Sequence, residues 1–250
     1  MRVSVVDYLN ARPLTWGLLR QPPADVTVSR DTPSECARKL GSGEADLGLI
    51  PSIEAARIPG VRVLPGLGIA ASSEVRSVLL VSRVSREKIQ SVALDPASRT
   101  SAALTRILLE RVYGVRAEYR EASPDTDATL IIGDPALKTR QNGFVVLDLA
   151  AEWRAFSGHP FVFAVWAARK DTDPARAERI VRDSRAAAVA GFARLVAESA
   201  AEAGLSEAVV EDYLRHCLHY ELDAGDLEGL ALFHRLAAEE GLIQSPQETA

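Results

Sequence analysis

Cysteine is nearly absent from this 250-residue chain, which contains Cys36 and Cys217 and no others. Two single cysteines far apart exclude a disulfide framework and the paired spacing of a structural metal site, although one disulfide between them stays open. His216 and His219 lie close together, but no third or fourth ligand follows at a recognisable spacing. We therefore interpret them as part of a solvated helix face, and no metal is expected.

The chain also lacks an excess of positive charge and any long hydrophobic run. It has 29 basic and 34 acidic side chains, a net charge of −5, and no block of lysine and arginine. This balance argues against a nucleic-acid partner, while a small anionic substrate stays open because a site needs only local positive potential. No apolar run approaches the roughly 18–20 residues that span a bilayer, and no signal peptide precedes the first strand. We therefore expect a cytoplasmic protein without a membrane partner.

Short motifs for covalent or cofactor chemistry are missing as well. The sequence has no phosphate-binding glycine fingerprint, no nucleophile elbow and no helix of the metal-dependent hydrolase type. We therefore expect no cofactor. The composition that is present, 47% hydrophobic and 25% charged, is typical of an ordinary globular protein.

Strand and helix patterns alternate along most of the chain, in two series. Strands of the first series are predicted at residues 2–6, 26–29 and 46–50, with helices at 13–20 and 33–40 between them. The second series has strands at 91–94, 129–132 and 144–147 and a long helix at 100–113. Strands separated by helices predict βαβ units and mostly parallel sheets.

Two long strands, at 75–82 and 161–168, join these series, and a helical tail follows with Asp173, Ser206 and Asp226 as expected caps. The pattern predicts an α/β protein with two lobes, a double crossover and a ligand cleft between the lobes. This is the architecture of the type II periplasmic-binding-protein fold. We place lobe I at residues 1–84 and 160–250, and lobe II at 85–159.

A polar segment from Asp7 to Pro13 follows the first strand. In open α/β sheets, ligands bind outside the carboxyl ends of the strands, so Asn10 and Arg12 are expected at the mouth of a site. Asn10 donates and accepts hydrogen bonds without charge, and Arg12 can clamp a carboxylate through two parallel bonds. An alternative of equal weight is that Asn10 caps the next helix while Arg12 faces solvent.

Three further segments follow predicted strands. Ser52 begins a helix after Pro51 and is either an anion site, a plain cap, or both. The turn at 95–101 brings three hydroxyl groups, of Ser98, Thr100 and Ser101, to a helix start, and we favour anion binding because a cap needs only one. Asp134 fits best as an N-cap before a proline.

In this order the segments resemble the chorismate dehydratases, enzymes of the futalosine route to menaquinone. The opening motif is Tyr-Leu-Asn-x-Arg-Pro-Leu at residues 8–14. Residues 45–54, 92–101, 130–137, 148–153 and 160–166 also match. The resemblance covers essentially the whole chain and implies the two-lobed binding-protein fold.

The resemblance implies a hydro-lyase that removes water from chorismate to give 3-[(1-carboxyvinyl)oxy]benzoate, without a metal or organic cofactor. It implicates Asn10 and Ser77 at the reacting ring, where Asn10 orients the substrate and polarises the leaving hydroxyl. The proton acceptor stays open, with a substrate carboxylate as one candidate. The expected substrate-binding residues are Tyr8, Arg12, Ser52, Ser98, Arg99, Thr100, Ser101 and Asp134.

Two alternative functions stay open. One is a non-enzymatic solute-binding or sensor module on the same fold, against which the missing export signal weighs. The other is the sister enzyme that makes 1,4-dihydroxy-6-naphthoate, against which the opening motif weighs. The sequence does not predict an oligomeric state.

Overall fold

Two separate β-sheets form the framework of the chain. The computed structural model describes residues 1–95, 98–121, 125–139 and 143–243. The strands of the first sheet are β1 (Arg2–Val6), β2 (Thr27–Asp31), β3 (Leu47–Pro51), β4 (Val61–Ala71), β10 (Phe161–Arg169) and β11 (His219–Glu221). The strands of the second sheet are β5 (Val78–Ser82), β6 (Ser91–Leu94), β7 (Glu118–Glu121), β8 (Ala128–Ile132) and β9 (Val145–Asp148).

Helices follow the strands of both sheets and form the end of the chain. They are α1 (Arg12–Arg20), α2 (Pro33–Ser42), α3 (Ser52–Arg57), α4 (Arg99–Tyr113), α5 (Asp134–Lys138), α6 (Leu149–Ser157), α7 (Pro174–Ala190), α8 (Phe192–Ala203), α9 (Glu207–Asp212) and α10 (Ala224–Glu239). Three short turns complete the elements used below: 3₁₀ turns at Leu9–Ala11 and Arg86–Lys88, and a π-helical turn at Tyr213–Cys217.

The first sheet has the order β11-β4-β10-β3-β1-β2. Its central strands β1 and β3 run parallel, whereas β10 is antiparallel to both β3 and β4. Every residue of β3 is buried. A continuous apolar run of this kind is typical of a strand covered on both faces.

The second sheet has the order β7-β6-β8-β5-β9. In it β6 is parallel to β7 and β8, and β5 is antiparallel to β8 and β9. We expected the strand at 75–82 in lobe I, but β5 belongs to this sheet. The boundary at residue 84 is therefore wrong: the chain leaves the first sheet after Ala71 and enters the second at Val78. A buried apolar pattern predicts a strand but contains no information about which sheet it joins.

The helical tail packs onto the first sheet's lobe. Helix α7 lies so close to α1 that a Cβ atom on Gly17 would be 2.6 Å from the Ser184 carbonyl oxygen. The Ser184 hydroxyl donates to the Leu14 carbonyl oxygen (2.7 Å) and accepts from the Leu18 N–H (3.0 Å). The glycine thus permits a close helix contact that the serine then fixes by two hydrogen bonds.

Two of the three N-caps predicted for the C-terminal helices are confirmed. Asp173 and Ser206 cap α7 and α9 through their side chains. Asp226 does not cap the last helix, because Asp223 does, and Asp226 is its reciprocal partner in a capping box. The disulfide left open does not form, since Cys36 and Cys217 are both free and buried.

None of the helices within the described residues combines the length and apolar character required to cross a bilayer. The expected cytoplasmic location stays a prediction.

Candidate functional site

A cleft lies between the two sheets, at the carboxyl ends of β1, β3 and β8. Its empty space amounts to about 620 Å³, which includes solvent-open space at its mouth. The described residues that line it include Tyr8, Asn10, Ala11, Pro51, Ser77, Val78, Ser98, Arg99, Thr100, Ser101, Gly133 and Phe163. Seven of the predicted site residues are therefore brought together: Tyr8, Asn10, Ser77, Ser98, Arg99, Thr100 and Ser101.

Asn10 faces the cleft from the turn that follows β1. The N-cap of α1 is Ala11, and no side chain caps that helix, so the capping alternative for Asn10 is wrong. Within the described residues, the Asn10 amide has no hydrogen-bond partner in the protein. A half-buried amide with both donor and acceptor free is well suited to bind a polar ligand.

Tyr8 lies beside Asn10 on the same wall. Burial is the largest cause that raises the pKa of its phenol, and the charges of Asp95 and Asp134 raise it further. Tyr8 therefore stays protonated at neutral pH and is available as a hydrogen-bond donor.

Arg12 lies outside the cleft, against expectation. It is buried, and its Nη1 donates to Ser199 Oγ at 3.2 Å while Nη2 pairs with Glu202. Its Nε lies 3.6 Å from Asp7 Oδ1. The guanidinium is thus occupied by groups of its own chain, which tie α1 to α8. The prediction that it clamps a substrate carboxylate and the alternative that it faces solvent are both wrong.

Ser52 is also occupied within the protein. It is fully buried, and its hydroxyl donates to the Val162 carbonyl oxygen at 2.7 Å, which joins α3 to β10. The next N–H of the helix, at Ile53, donates to Thr100 Oγ1 at 3.3 Å. The N-cap is Pro51, without a side-chain bond. Ser52 is therefore neither a cap nor a cleft residue, because a contact within the first sheet's lobe uses its hydroxyl.

The start of α4 forms the opposite wall of the cleft. Ser98, the N-cap, makes no side-chain capping bond, and the side chains of Thr100 and Ser101 are buried. The first N–H groups of a helix have no partner within the helix and carry the positive end of its dipole. Arg99 pairs with the buried Glu54 at 3.0 Å. Residues 96 and 97 of this turn lie outside the described residues.

Asp134 begins α5 but does not cap it. The N-cap is Gly133, whose φ of 68° lies in the left-handed region that favours glycine. Gly133 lines the cleft, and the half-buried Asp134 lies behind it. Burial raises the pKa of Asp134, while the charges of Lys138 and Arg12 lower it. The predicted N-cap is therefore wrong by one residue, because Gly133 and not Asp134 occupies the N-cap position.

Ser77 lies on the first crossover between the sheets, residues 72–77, immediately before β5, and only 1% of it is exposed. Its Oγ accepts a hydrogen bond from the Tyr213 hydroxyl at 2.7 Å, and its carbonyl oxygen accepts one from the Gly133 N–H at 2.8 Å. Sequence reasoning missed Tyr213, which belongs to the π-helical turn. No sequence signal could have revealed it, since a π-helical turn has no characteristic residue pattern.

Solved structures with this fold confirm the predicted architecture. A protein of Archaeoglobus fulgidus is 17% identical, with a TM-score of 0.80, over 97% of this chain and 98% of that chain. The periplasmic aliphatic sulphonate binding protein of Escherichia coli is 17% identical, with a TM-score of 0.67, over 98% and 88%. A Candida albicans protein described as having the generic periplasmic-binding-protein fold has a TM-score of 0.61 at 10% identity, over 99% and 92%. At these identities the likeness shows the fold alone.

Sequence comparison confirms the family resemblance. A chorismate dehydratase of Thermus thermophilus is 33% identical over 232 residues, which cover 82% of this chain and 84% of that protein. A chorismate dehydratase of Campylobacter jejuni is 34% identical over 165 residues, which cover 64% of this chain and 63% of that protein. A family model described as menaquinone biosynthesis matches residues 1–239. The chain therefore belongs to this menaquinone-biosynthesis family.

Proposed function

We propose that the chain is a chorismate dehydratase, a carbon–oxygen lyase that converts chorismate to 3-[(1-carboxyvinyl)oxy]benzoate and water. One structural observation carries the proposal. Asn10 from the first sheet's lobe and Ser77 with the start of α4 from the other line one cleft. The relatives named above support the same substrate.

The reaction breaks a C–H bond and a C–O bond at adjacent carbons of the chorismate ring. A proton leaves the carbon that carries the enolpyruvyl ether, the hydroxyl departs from the neighbouring carbon, and the two are released together as water while the ring becomes aromatic. Asn10 and Ser77 are neutral donors, suited to polarise the departing hydroxyl and to orient the ring. Aromatisation supplies the driving force, so positioned donors are a sufficient contribution from the protein.

The proton acceptor in this proposal is a carboxylate of the substrate. Among the described residues that line the cleft there is no Asp, Glu or His. An asparagine amide is too weak a base to remove the proton. A substrate carboxylate held close to the ring supplies the missing base without a protein group.

Chorismate carries two carboxylates, and the start of α4 is the proposed site for one of them. Its free N–H groups and the hydroxyls of Ser98, Thr100 and Ser101 supply donors there. Arg99 lines the same wall, but its guanidinium already pairs with Glu54, so the helix start and the hydroxyls are the proposed anion donors. The Tyr8 phenol is the proposed donor to the second carboxylate, because Arg12 and Ser52 are occupied elsewhere.

The test is turnover of chorismate by the purified chain, followed as appearance of the aromatic product without added metal. We expect Asn10→Ala to lower kcat by about 100-fold or more, since loss of one oriented donor at a developing charge has that size. The exposed Ser42→Ala serves as a surface control and should retain the parent rate. Parent-rate turnover by Asn10→Ala contradicts the role of Asn10.

The anion site has a separate test. A Ser98/Thr100/Ser101 triple alanine variant should bind chorismate more weakly than the parent, and unchanged affinity contradicts this part of the proposal. The sister substrate that yields 1,4-dihydroxy-6-naphthoate is assayed in parallel. Binding of chorismate without an aromatic product would favour a binding module instead.

A further inference from the structure

We propose that Tyr213 is a positioning residue that orients the Ser77 hydroxyl so that its hydrogen is directed into the cleft. This inference rests on the proposed function, in which Ser77 donates to the substrate. Tyr213 itself does not touch the substrate in this arrangement, since it lies behind Ser77.

The hydrogen-bond direction carries the argument. A serine hydroxyl has one hydrogen and rotates freely unless a neighbour fixes it. Tyr213 donates to Ser77 Oγ at 2.7 Å, so the hydrogen of Ser77 must point away from Tyr213. Ser77 lines the cleft, and its hydroxyl donates to no acceptor among the described residues, so the cleft is the open direction for its hydrogen. A donated bond also strengthens the next donation in a chain of hydroxyl groups.

A second contact fixes Tyr213 against the same segment. Arg76 Nη1 pairs with Asp212 at 2.5 Å. Two consecutive residues of the first crossover therefore bind Asp212, the last residue of α9, and Tyr213, the first residue of the π-helical turn. The backbone at Arg76 has a φ of 58°, in the left-handed region that residues other than glycine rarely adopt. Strained residues persist where their surroundings hold them, often at functional sites.

The location of Tyr213 in a π-helical turn supports the same interpretation. Such turns are rare and occur frequently at functional sites. Here the turn directs a fully buried side chain from the C-terminal half of the chain towards the crossover. Burial raises the pKa of Tyr213 far above its ordinary value. The phenol therefore stays protonated and keeps its role as donor at neutral and mildly alkaline pH.

The test compares two tyrosines that differ in their hydroxyl partners. Tyr213→Phe removes the donor to Ser77, and Tyr220→Phe removes a buried hydroxyl that has no partner within the described residues. We expect Tyr213→Phe to lower kcat by about 10-fold with little change in KM, the size of one lost hydrogen bond. Tyr220→Phe should leave both constants within about twofold of the parent. An unchanged kcat in folded Tyr213→Phe overturns the proposal.

A double-mutant cycle separates positioning from a general structural effect. If Tyr213 acts through Ser77, adding Tyr213→Phe to Ser77→Ala causes no further loss of kcat. Independent, multiplying losses overturn the proposal. If Tyr213→Phe does not fold, Tyr213→Met removes the same hydroxyl with a smaller, flexible side chain that adapts to the space. If the parent chain produces no aromatic compound from chorismate, the proposed function itself is refuted. If the parent is active and Tyr213→Phe is as active, only the role of Tyr213 is refuted.

Discussion

The two crossings between the sheets are held by opposite kinds of interaction. At the first, residues 72–77, the Asp148 carboxylate accepts from the N–H groups of Val75 (3.0 and 3.1 Å) and Arg76 (2.6 Å). The ion pair of Arg76 with Asp212 adds a further polar contact. This crossing is held by directional bonds.

The second crossing, residues 158–160, lies against an aromatic cluster. Trp153 packs edge-to-face on Phe161 and Phe233, with ring centroids 5.4 and 6.1 Å apart. The indole N–H of Trp153 also donates to the Pro160 carbonyl oxygen at 3.1 Å. All three rings are fully buried. This crossing is held mainly by apolar packing.

This difference between the two crossings indicates that one of them contributes mainly to the geometry of the site and the other mainly to the stability of the fold. Buried aromatic packing supplies large but non-directional free energy. Hydrogen bonds supply less net free energy but fix position and orientation. The polar crossing is the one that ends in Ser77, a proposed substrate contact. We infer that the directional bonds serve the site and the aromatic cluster serves the fold.

The largest expected effect is at the aromatic crossing. Trp153→Ala should lower the free energy of unfolding by about 3–5 kcal/mol, because it removes a fully buried ring and leaves a cavity. Chemical denaturation monitored by circular dichroism measures it. Phe156, a ring neighbour of Trp153 that is 41% exposed, offers a control. A loss as large in Phe156→Ala would contradict the assignment of the stability to buried packing.

An intermediate effect is expected at Asp148, which has two roles. Its Oδ1 accepts from the Ala150 and Ala151 N–H groups and caps α6, while the carboxylate also holds the crossing. Asp148→Ser retains a capping oxygen but is too short to reach Val75 and Arg76. It should cost about 1–2 kcal/mol, and Asp148→Ala about 1 kcal/mol more. Denaturation of the parent and the two variants separates the two roles: the loss in Asp148→Ser measures the crossing bonds, and the further loss in Asp148→Ala measures the cap. An Asp148→Ser variant as stable as the parent would show that the crossing bonds contribute nothing.

The pH dependence of stability gives a second measurement on Asp148. Burial raises its pKa above the ordinary value of 3.8, against the effect of its backbone donors. The folded chain therefore binds more protons at this carboxyl than the unfolded chain just above pH 3.8. This contribution to stability is present at lower pH and is lost as the pH rises through the folded pKa. The Asp148→Ser variant should lack that slope, and an unchanged slope would assign it to other groups.

Local patterns predicted most of the elements, and long-range contacts account for what they missed. The apolar run of β3 is visible in five consecutive residues. Arg12, in contrast, is occupied by Ser199 and Glu202, which lie far along the chain. Ser77 entered the candidate site only through the family resemblance, and its partner Tyr213 is 136 residues away. Partners at such separations are set by the packing of whole helices, which no local spacing contains.

The smallest expected effect is at Arg76, where the sign matters more than the size. Arg76→Ala removes an exposed ion pair and keeps the left-handed backbone, so it should cost about 0.5 kcal/mol. Arg76→Gly removes the same pair but relieves the strain, and should be about 1 kcal/mol more stable than Arg76→Ala. Glycine usually makes a folded segment less stable than alanine does. Chemical denaturation of Arg76→Gly and Arg76→Ala therefore tests whether the order of their stabilities is reversed here. If Arg76→Ala is the more stable variant, the backbone of the first crossing is not strained. The bonds from this crossing to Asp148 would then not be explained by a role in orienting Ser77.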